Sequence, residues 1–260
     1  MKNLKISVFA FAIVLIASTS IFSQELTALQ IVENAYNRDV GEDMTSDLLM
    51  ILTNSTDDKR VREIKQFTKD FGDVEKNIMF FISPADVKNT SFMNRAYDKD
   101  DKDDDQWIYL PALKKPKRIS SDSKSDYFMG SDFTYDDLGD RKPNQDIHKI
   151  LREETLKGES CYVIESIPKD KDYMYSKTIT WIIKDKWIGL KKDFYDEDND
   201  LLKILTVDKY EDIKGFLIIT HTEMKNEQKD HKTIMELNNV QINTGIDNGK
   251  FTERIMTRGI

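Results

Sequence analysis

Short alternating runs of apolar and polar residues are the feature that most limits the folds open to this chain. In TITWIIKD, Ile179, Trp181 and Ile183 fall on one side of an extended backbone, and Thr178 and Thr180 fall on the other. A period of two residues predicts a β-strand with one side towards a core. About eleven such runs recur along the chain, separated by charged or turn-rich stretches. The sequence therefore predicts a mainly β protein.

The predicted strands follow one another closely, which is typical of one antiparallel sheet. A sheet of about eleven strands is expected to curl or to close into a barrel. The spacing of the runs shows no clear internal boundary and no long linker, so we predict a single domain over residues 24–260. The runs are SDLLMILTNS, REIKQFTK, EKNIMFFIS, TSFMNRAY, QWIYLP, CYVIESIP, TITWIIKD, LKKDFYDE, LLKILTVDKY, FLIITHTEM and HKTIMELNNV.

One helix is predicted ahead of the strands, near residues 28–38. Thr27 and Gln30 have the spacing of a capping box at its start. Leu29, Val32 and Tyr36 then recur at helical spacing and predict one apolar side. This helix is a candidate cover for the open side of the sheet.

The N-terminus has the pattern of a secretory signal peptide. Lys2 and Lys5 precede an apolar run of about a dozen residues, which is short for a membrane span. Small residues follow, with cleavage expected near Ser20 or Ser23. We therefore predict a signal peptide over residues 1–23 and a mature protein exported to a periplasm. An uncleaved anchor helix is the alternative interpretation.

Composition argues against several classes of site. A net charge of −8 disfavours nucleic-acid binding, which requires a basic surface. With three histidines and one cysteine, a zinc site is not expected, and Cys161 is predicted to be a buried core residue. The first three ligand positions of a calcium loop are matched by Asp101, Asp103 and Asp105. The loop also needs a glycine at its sixth position and a bidentate glutamate at its twelfth, where this chain has Gln106 and Ala112. No metal and no cofactor is predicted.

No catalytic motif stands out in the sequence. There is no G-x-S-x-G, no H-E-x-x-H, no phosphate-binding glycine loop and no C-x-x-C. We therefore predict a protein that is not an enzyme. An enzyme with residues assembled from distant parts of the chain stays as an alternative.

The stretch DQWIYLPALKKPKRI, residues 105–119, places large apolar side chains beside the densest basic cluster of an acidic chain. The aromatic residues of this and neighbouring runs could simply fill a core. In a large curled sheet with a helix across its opening, they could instead line an apolar cavity. Both interpretations are open at this point.

The same stretch, followed by DYFMGSDFTYDDL, resembles the signature of the outer-membrane lipoprotein-sorting proteins, a branch of the LolA/LolB-like superfamily. ISPADVKNTSF, residues 82–92, is also similar to a segment of that family, with Asn89 where the family pattern has glycine. The resemblance covers the mature chain. It implies about eleven antiparallel strands in an unclosed half-barrel, covering helices and a hydrophobic cavity.

The resemblance also implies a function: a periplasmic carrier that binds the acyl chains of lipoproteins, or related lipids, for transfer to the outer membrane. The implied partners are an inner-membrane transporter of the RND or ABC type and an outer-membrane acceptor. We expect a monomer that binds no nucleic acid. The alternative is a periplasmic sensor or a transporter-accessory subunit that binds lipid without transfer.

Two sets of residues follow as candidates. Four cations, which would meet anionic headgroups or an acidic partner at the cavity mouth, form the first set: Lys114, Lys115, Lys117 and Arg118. A solvated turn is the alternative for them. The candidate lining of the lipid cavity is Leu29, Val32, Tyr36, Phe80, Trp107, Tyr109, Phe128, Phe133 and Trp181. FMGSDFTYDDL is a second candidate lid, with Gly130 as its hinge.

Overall fold

The computed structural model describes residues 25–99 and 102–260, in which one antiparallel sheet dominates. Its thirteen strands are β1 (Asp43–Thr53), β2 (Lys59–Asp70), β3 (Val74–Ser83), β4 (Ser91–Tyr97), β5 (Asp105–Tyr109), β6 (Pro116–Arg118), β7 (Asp146–Leu156), β8 (Glu159–Pro168), β9 (Lys177–Ile183), β10 (Gly189–Tyr195), β11 (Leu201–Ile213), β12 (Phe216–Asn226) and β13 (His231–Ile242). They lie in the order β6-β5-β4-β3-β2-β1-β13-β12-β11-β10-β9-β8-β7. The edges β6 and β7 do not pair with each other, so the sheet is unclosed.

The predicted unclosed antiparallel sheet is confirmed, with thirteen strands instead of about eleven. Both additional strands are edges. β6 consists of Pro116, Lys117 and Arg118, and β7 has no buried residue along its length. Charge and proline on an edge discourage pairing with another chain. They also remove the apolar alternation from which a strand is predicted.

The connection between the two edges determines where the middle of the chain lies. Residues 119–145 join β6 to β7, and we call them the crossing segment because those strands are at opposite ends of the sheet. Gln106 of β5 donates to the carbonyl of Tyr135, and Lys203 of β11 donates to Asp137. In a flat sheet, β5 and β11 would be about 34 Å apart. Tyr135 and Asp137 are only two positions apart in the chain. They can contact β5 and β11 only because the sheet curls around them.

Each face of the first half of the sheet is buried under a different part of the chain. The crossing segment packs on the inner face, which carries Leu48 and Met50 of β1 and Phe81 of β3. The outer face carries Ile78 and Phe80 of β3. It is covered by the C-terminal segment, residues 243–260, through three buried side chains: Ile246, Phe251 and Met256.

The described residues also form two α-helices, α1 (Ala28–Tyr36) and α2 (Glu253–Arg258). The predicted capping box of α1 is present, because the Thr27 hydroxyl accepts from the Gln30 N–H at 3.2 Å and Gln30 accepts from the Thr27 N–H at 2.9 Å. The helix ends at Tyr36, before the predicted boundary. The remaining short 3-10 turns are Pro111–Leu113, Ser121–Ser123, Phe128–Gly130, Asp136–Leu138, Pro143–Gln145 and Asn248–Lys250.

The predicted signal peptide lies outside the described residues. In the part of the chain that the structure describes, no helix is both long and apolar enough to cross a membrane. Cys161 is fully buried in an apolar cluster of β8, β9 and β10, as its sequence context predicts.

Candidate functional site

The aromatic part of the crossing segment fills the inner face of the sheet. The Phe128 ring lies 5.1 Å from the Phe92 ring and 6.0 Å from the Phe81 ring, centroid to centroid. Tyr135 packs edge-on against Phe128 at 5.5 Å. Phe128 is fully buried as a result. In this conformation the protein's own side chains occupy the apolar space of the half-barrel.

A sharp turn presents Phe128 to the sheet. Met129 and Gly130 both adopt positive φ angles, 51° and 74°. This left-handed conformation is unfavourable for methionine and accessible to glycine. The buried guanidinium of Arg62 donates to the Met129 carbonyl at 2.6 Å. Arg62, from β2, therefore holds the turn that the sequence proposes as a hinge.

Polar groups anchor the other end of the same stretch to β11 and β13. The fully buried Lys203 ammonium donates to the Asp137 carboxylate and to the Asp132 carbonyl, at 3.1 Å. The Asp132 carboxylate accepts from the Thr233 hydroxyl at 2.7 Å and lies 2.7 Å from His231 Nδ1. Ion pairs removed from water form well only when both partners are also hydrogen-bonded. This polar anchor therefore fixes the crossing segment in one position.

Aromatic rings surround the Lys203 ammonium on the remaining sides. Its Nζ lies 5.1 Å from the Tyr175 ring and 5.2 Å from the Phe194 ring. Tyr175 also donates its hydroxyl to Asp137 at 3.0 Å. Cation–π contacts of this kind add to the stability of a desolvated ammonium. No feature of the LLKILT run in the sequence predicts a lysine with no exposed surface.

Cavities flank the crossing segment. One cavity, of about 620 Å³, is lined mainly by charged residues, among them Lys124, Asp136, Arg141 and Lys142, and we call it the mouth groove. A cavity of about 310 Å³ lies between the segment and β12–β13, where Leu138, Met235 and Leu237 meet polar side chains. A third, of about 230 Å³, faces β9–β11. All three combine charged or polar groups with apolar ones.

Carboxylates around these cavities hold their protons more tightly than usual. Burial raises the pKa of Glu75 to about 7 and that of Asp104 to about 6. Burial likewise raises the pKa of Asp140, which accepts a hydrogen bond from the Tyr36 hydroxyl. Glu75 is therefore only partly ionised near neutral pH.

The nine predicted lining residues do not form one group. Phe128 and Phe133 belong to the crossing segment and pack towards the inner side of the sheet. Phe80, Trp107 and Tyr109 lie on the outer face, under the C-terminal segment. These three are therefore separated from Phe128 by the sheet itself, because adjacent strand residues point to opposite faces.

The remaining four candidates lie around the second half of the sheet. Val32 of α1 is partly buried beside Ile31, the residue of the helix that is fully buried against β8 and β9. Leu29 is 42% exposed and Tyr36 37% exposed. Trp181 lies in the cluster with Cys161, on the side of β9 opposite to Ile182, which packs against α1.

The basic turn lies at the β5–β6 edge, as the sequence suggests. Lys114, Lys115 and Lys117 are exposed, next to the exposed Leu113. Arg118 differs, because it forms an ion pair with Asp105 of β5. Three of the four predicted docking cations are therefore free of ion pairs among the described residues.

No group of three or more His, Cys, Asp or Glu side chains within residues 25–99 and 102–260 is arranged to hold a metal ion.

A structure of an outer-membrane lipoprotein-sorting protein domain from Vibrio parahaemolyticus is 33% identical to this chain, with a TM-score of 0.83. The match covers 89% of this chain and 98% of that one. This protein belongs to the outer-membrane lipoprotein-sorting family. A family model described only as an uncharacterized protein matches residues 73–258. The family predicted from the signature is thus confirmed.

Two further structures extend the comparison. A DUF1329 family protein from Desulfovibrio piger is 28% identical with a TM-score of 0.82, covering 88% of this chain and 97% of that one. A LolA superfamily protein from Nitrosomonas europaea is 18% identical with a TM-score of 0.68, covering 88% and 99%, and shows the shared LolA-like fold. No curated protein matches the sequence. Asn89, at the family's glycine position, adopts a φ of 65°, which asparagine tolerates better than most residues.

Proposed function

We propose that this lipoprotein-sorting family member is a periplasmic carrier, which binds the acyl chains of lipoproteins or related lipids inside its half-barrel. The signal peptide is cleaved, and residues 24–260 act as one carrier domain. One observation carries the proposal: the crossing segment, which is not a strand of the sheet, covers the apolar inner face. Phe128 therefore occupies space that an acyl chain would take.

The energetics suit a carrier that must also release its cargo. Burial of one methylene is worth about 0.8 kcal/mol, so a long acyl chain loses on the order of 10 kcal/mol in water. When the crossing segment moves away, an acyl chain replaces Phe128 and Tyr135 against Phe81 and Phe92. One set of apolar contacts replaces another, so the net affinity stays moderate and the chain can leave again.

The proposal is tested by the lipid that the protein carries. The protein is purified from a periplasm and extracted with organic solvent, and lipid is quantified by mass spectrometry. Stoichiometric acyl lipid is expected, together with binding of a fluorescent fatty acid. An empty protein that also ignores the fluorescent fatty acid would contradict the proposal. Bound lipid that is never passed to an acceptor membrane would instead favour a sensor or accessory subunit.

Docking at a membrane or at a transporter of the RND or ABC type is the second part of the proposal. Helix α2 contacts β6 and carries Arg254 and Arg258, both exposed. Together with Lys114, Lys115 and Lys117, they place five exposed cations around β6 and α2, where α2 contributes one exposed acid, Glu253. Each basic residue near an anionic bilayer contributes about 1 kcal/mol.

Reversing Lys114, Lys115 and Lys117 to Glu is expected to weaken binding to phosphatidylglycerol vesicles at least a hundredfold, because about 3 kcal/mol of attraction is lost. Vesicle cosedimentation at low salt measures this. The matched control reverses three exposed lysines elsewhere, Lys99, Lys149 and Lys171. Equal losses in both variants would show that only net charge matters and that the basic turn is not a docking surface.

A further inference from the structure

Lys192 lines the cavity of about 230 Å³, and the proposed carrier function assigns it no role. Lys192 lies on β10, between Thr180 of β9 and Leu205 of β11. It lines the cavity and retains some accessible surface there. We call this space the Lys192 cavity.

Lys192 makes no hydrogen bond or ion pair among the described residues, although Asp137, Asp146 and Asp136 lie near enough to attract its charge. The carboxylates nearby already have partners of their own. Asp137 accepts from Lys203, and Asp136 accepts from the Tyr173 hydroxyl. Asp146 accepts from both Nε and a terminal nitrogen of Arg141, with Nε at 3.1 Å. The ammonium of Lys192 is thus left with three unused donors.

The Lys192 ammonium is only partly solvated in the empty protein. Burial lowers the pKa of Lys192, because the charged form is poorly solvated there. The Phe194 ring, 5.1 Å from Nζ, offers only a cation–π contact. An anion that enters the cavity would supply the hydrogen bonds that the lysine lacks.

The other walls favour an alkyl group beside that anion. Four apolar side chains line the same space: Phe133, Phe194, Leu205 and Met224. A volume of about 230 Å³ holds about seven groups of the size of a water molecule. This accommodates a small anionic group and the first carbons of a chain.

A route leads from the surface to Lys192. Asp136, Gly139, Arg141 and Tyr173 line both the Lys192 cavity and the mouth groove. The guanidinium of Arg141 lies at this junction, where it stacks 3.7 Å from the centre of the Tyr173 ring. A negatively charged ligand would therefore pass Arg141, which is paired with Asp146, and meet the Lys192 ammonium inside.

We propose that the Lys192 cavity binds the anionic end of an amphiphile, with a carboxylate or phosphate oxygen on the Lys192 ammonium and the alkyl chain against Phe133 and Met224. This inference rests on the proposed function and specifies its ligand: an anionic lipid or fatty acid, not a neutral one. Arg141 acts as a positioning residue on the way in.

The test compares ligands of equal chain length by calorimetric titration of the purified protein. Decanoate and decyl phosphate are expected to bind at least tenfold more tightly than decanol or decyltrimethylammonium, because only the anions form charge-assisted hydrogen bonds. Inorganic phosphate, tested alone, is expected to bind much more weakly than decyl phosphate. Equal affinity for decanol and decanoate would overturn the proposal and leave the carrier function standing.

Substitution then assigns the preference to the residue. Lys192→Met is expected to weaken decanoate binding by about tenfold to a hundredfold and to leave decanol binding unchanged. Lys191→Met is the matched control, since Lys191 is the next residue and pairs with Asp193 on the other face of β10. Unchanged decanoate binding in Lys192→Met, or an equal loss in both variants, would overturn the assignment.

Thermal melting separates a ligand-binding role from a structural one. Without ligand, Lys192→Met is expected to melt at a higher temperature than the natural protein, because an unpaired internal charge is removed. A lower melting temperature would make Lys192 a counter-ion of the nearby aspartates and overturn the proposal.

If phosphate alone bound as tightly as decyl phosphate in the titration, the ligand would be a free anion and the proposal of an amphiphile would be wrong. If no amphiphile of any charge bound, this inference and the proposed function would both fail.

Discussion

Lys203→Met is expected to lower the free energy of unfolding by about 3–5 kcal/mol, because it leaves the Asp137 carboxylate buried without its cation. The lysine is fully buried and Asp137 is nearly so, which prevents water from taking over the interaction. Chemical denaturation monitored by circular dichroism measures the change. The same substitution is expected to accelerate uptake of a fluorescent fatty acid, since the crossing segment loses an anchor.

Two further variants identify the origin of this effect. Lys203→Met combined with Asp137→Asn is expected to recover most of the lost stability, because neither partner of the buried ion pair is left charged on its own. Lys225→Met removes the lysine of a partly exposed pair with Glu227, and it is expected to change stability by about 1 kcal/mol or less. If Lys203→Met cost no more than Lys225→Met, the polar anchor would not hold the crossing segment.

Asp43→Ala is expected to cost at least about 3 kcal/mol, because one buried carboxylate holds the start of the C-terminal segment. It accepts from the backbone N–H groups of Thr244 and Gly245, both at 2.8 Å, and of Ile246 at 3.1 Å. The Thr244 hydroxyl is a fourth donor, at 3.0 Å. Without the carboxylate these donors stay unsatisfied and the cover of the outer face loosens. Denaturation monitored by tryptophan fluorescence measures the loss.

The contribution of Asp43 is also expected to depend on pH. Burial alone would raise the pKa of this carboxyl, but its hydrogen bonds to Thr244, Ile246 and Gly245 outweigh burial and hold the pKa below the usual value. The folded protein therefore binds this proton less tightly than the unfolded chain, whose Asp pKa is about 3.9. The stabilisation is fully present above that pH and is lost as the pH falls through the lower folded-state pKa.

Asp247→Ala provides the matched control for Asp43. Asp247 is exposed and accepts from the Gly249 N–H at 2.6 Å, in the same C-terminal segment. Its removal is expected to cost about 1 kcal/mol, the typical loss for a capping group. Similar losses for the two variants, or an Asp43→Ala loss that persists unchanged at pH 2, would contradict the role given to Asp43.

The strands were predictable because most of them carry an apolar alternation, and the two that do not are edges. β6 consists of a proline and two cations, and β7 has no buried residue. Neither strand therefore shows the apolar alternation from which a strand is predicted. The faces were harder to predict. Ile78, Met79, Phe80 and Phe81 are all buried, because the crossing segment covers one face of β3 and the C-terminal segment covers the other. A strand buried on both sides gives no sign of which residues point inward.

The signature residues belong to the segment that covers the inner face, and the structure shows why they lie there. FMGSDFTYDDL belongs to the connection between opposite edges, which must cross the open side of the sheet. Its anchors were not predictable, because they come from β2, β11 and β13. A lysine is almost never fully buried unless it is paired, so the sequence alone gave no ground to place Lys203 inside.

The proposed carrier function requires that an acyl chain take the place of the crossing segment on the inner face. Photo-crosslinking with a fatty acid that carries a diazirine in the middle of its chain tests it most directly, with the adducts located by mass spectrometry. We predict adducts on Met50, Met79 and Phe92 and on Phe128 of the displaced segment. Adducts confined to exposed apolar residues such as Ile147 and Ile167, with none on the inner face, would show that the acyl chain does not bind inside the half-barrel.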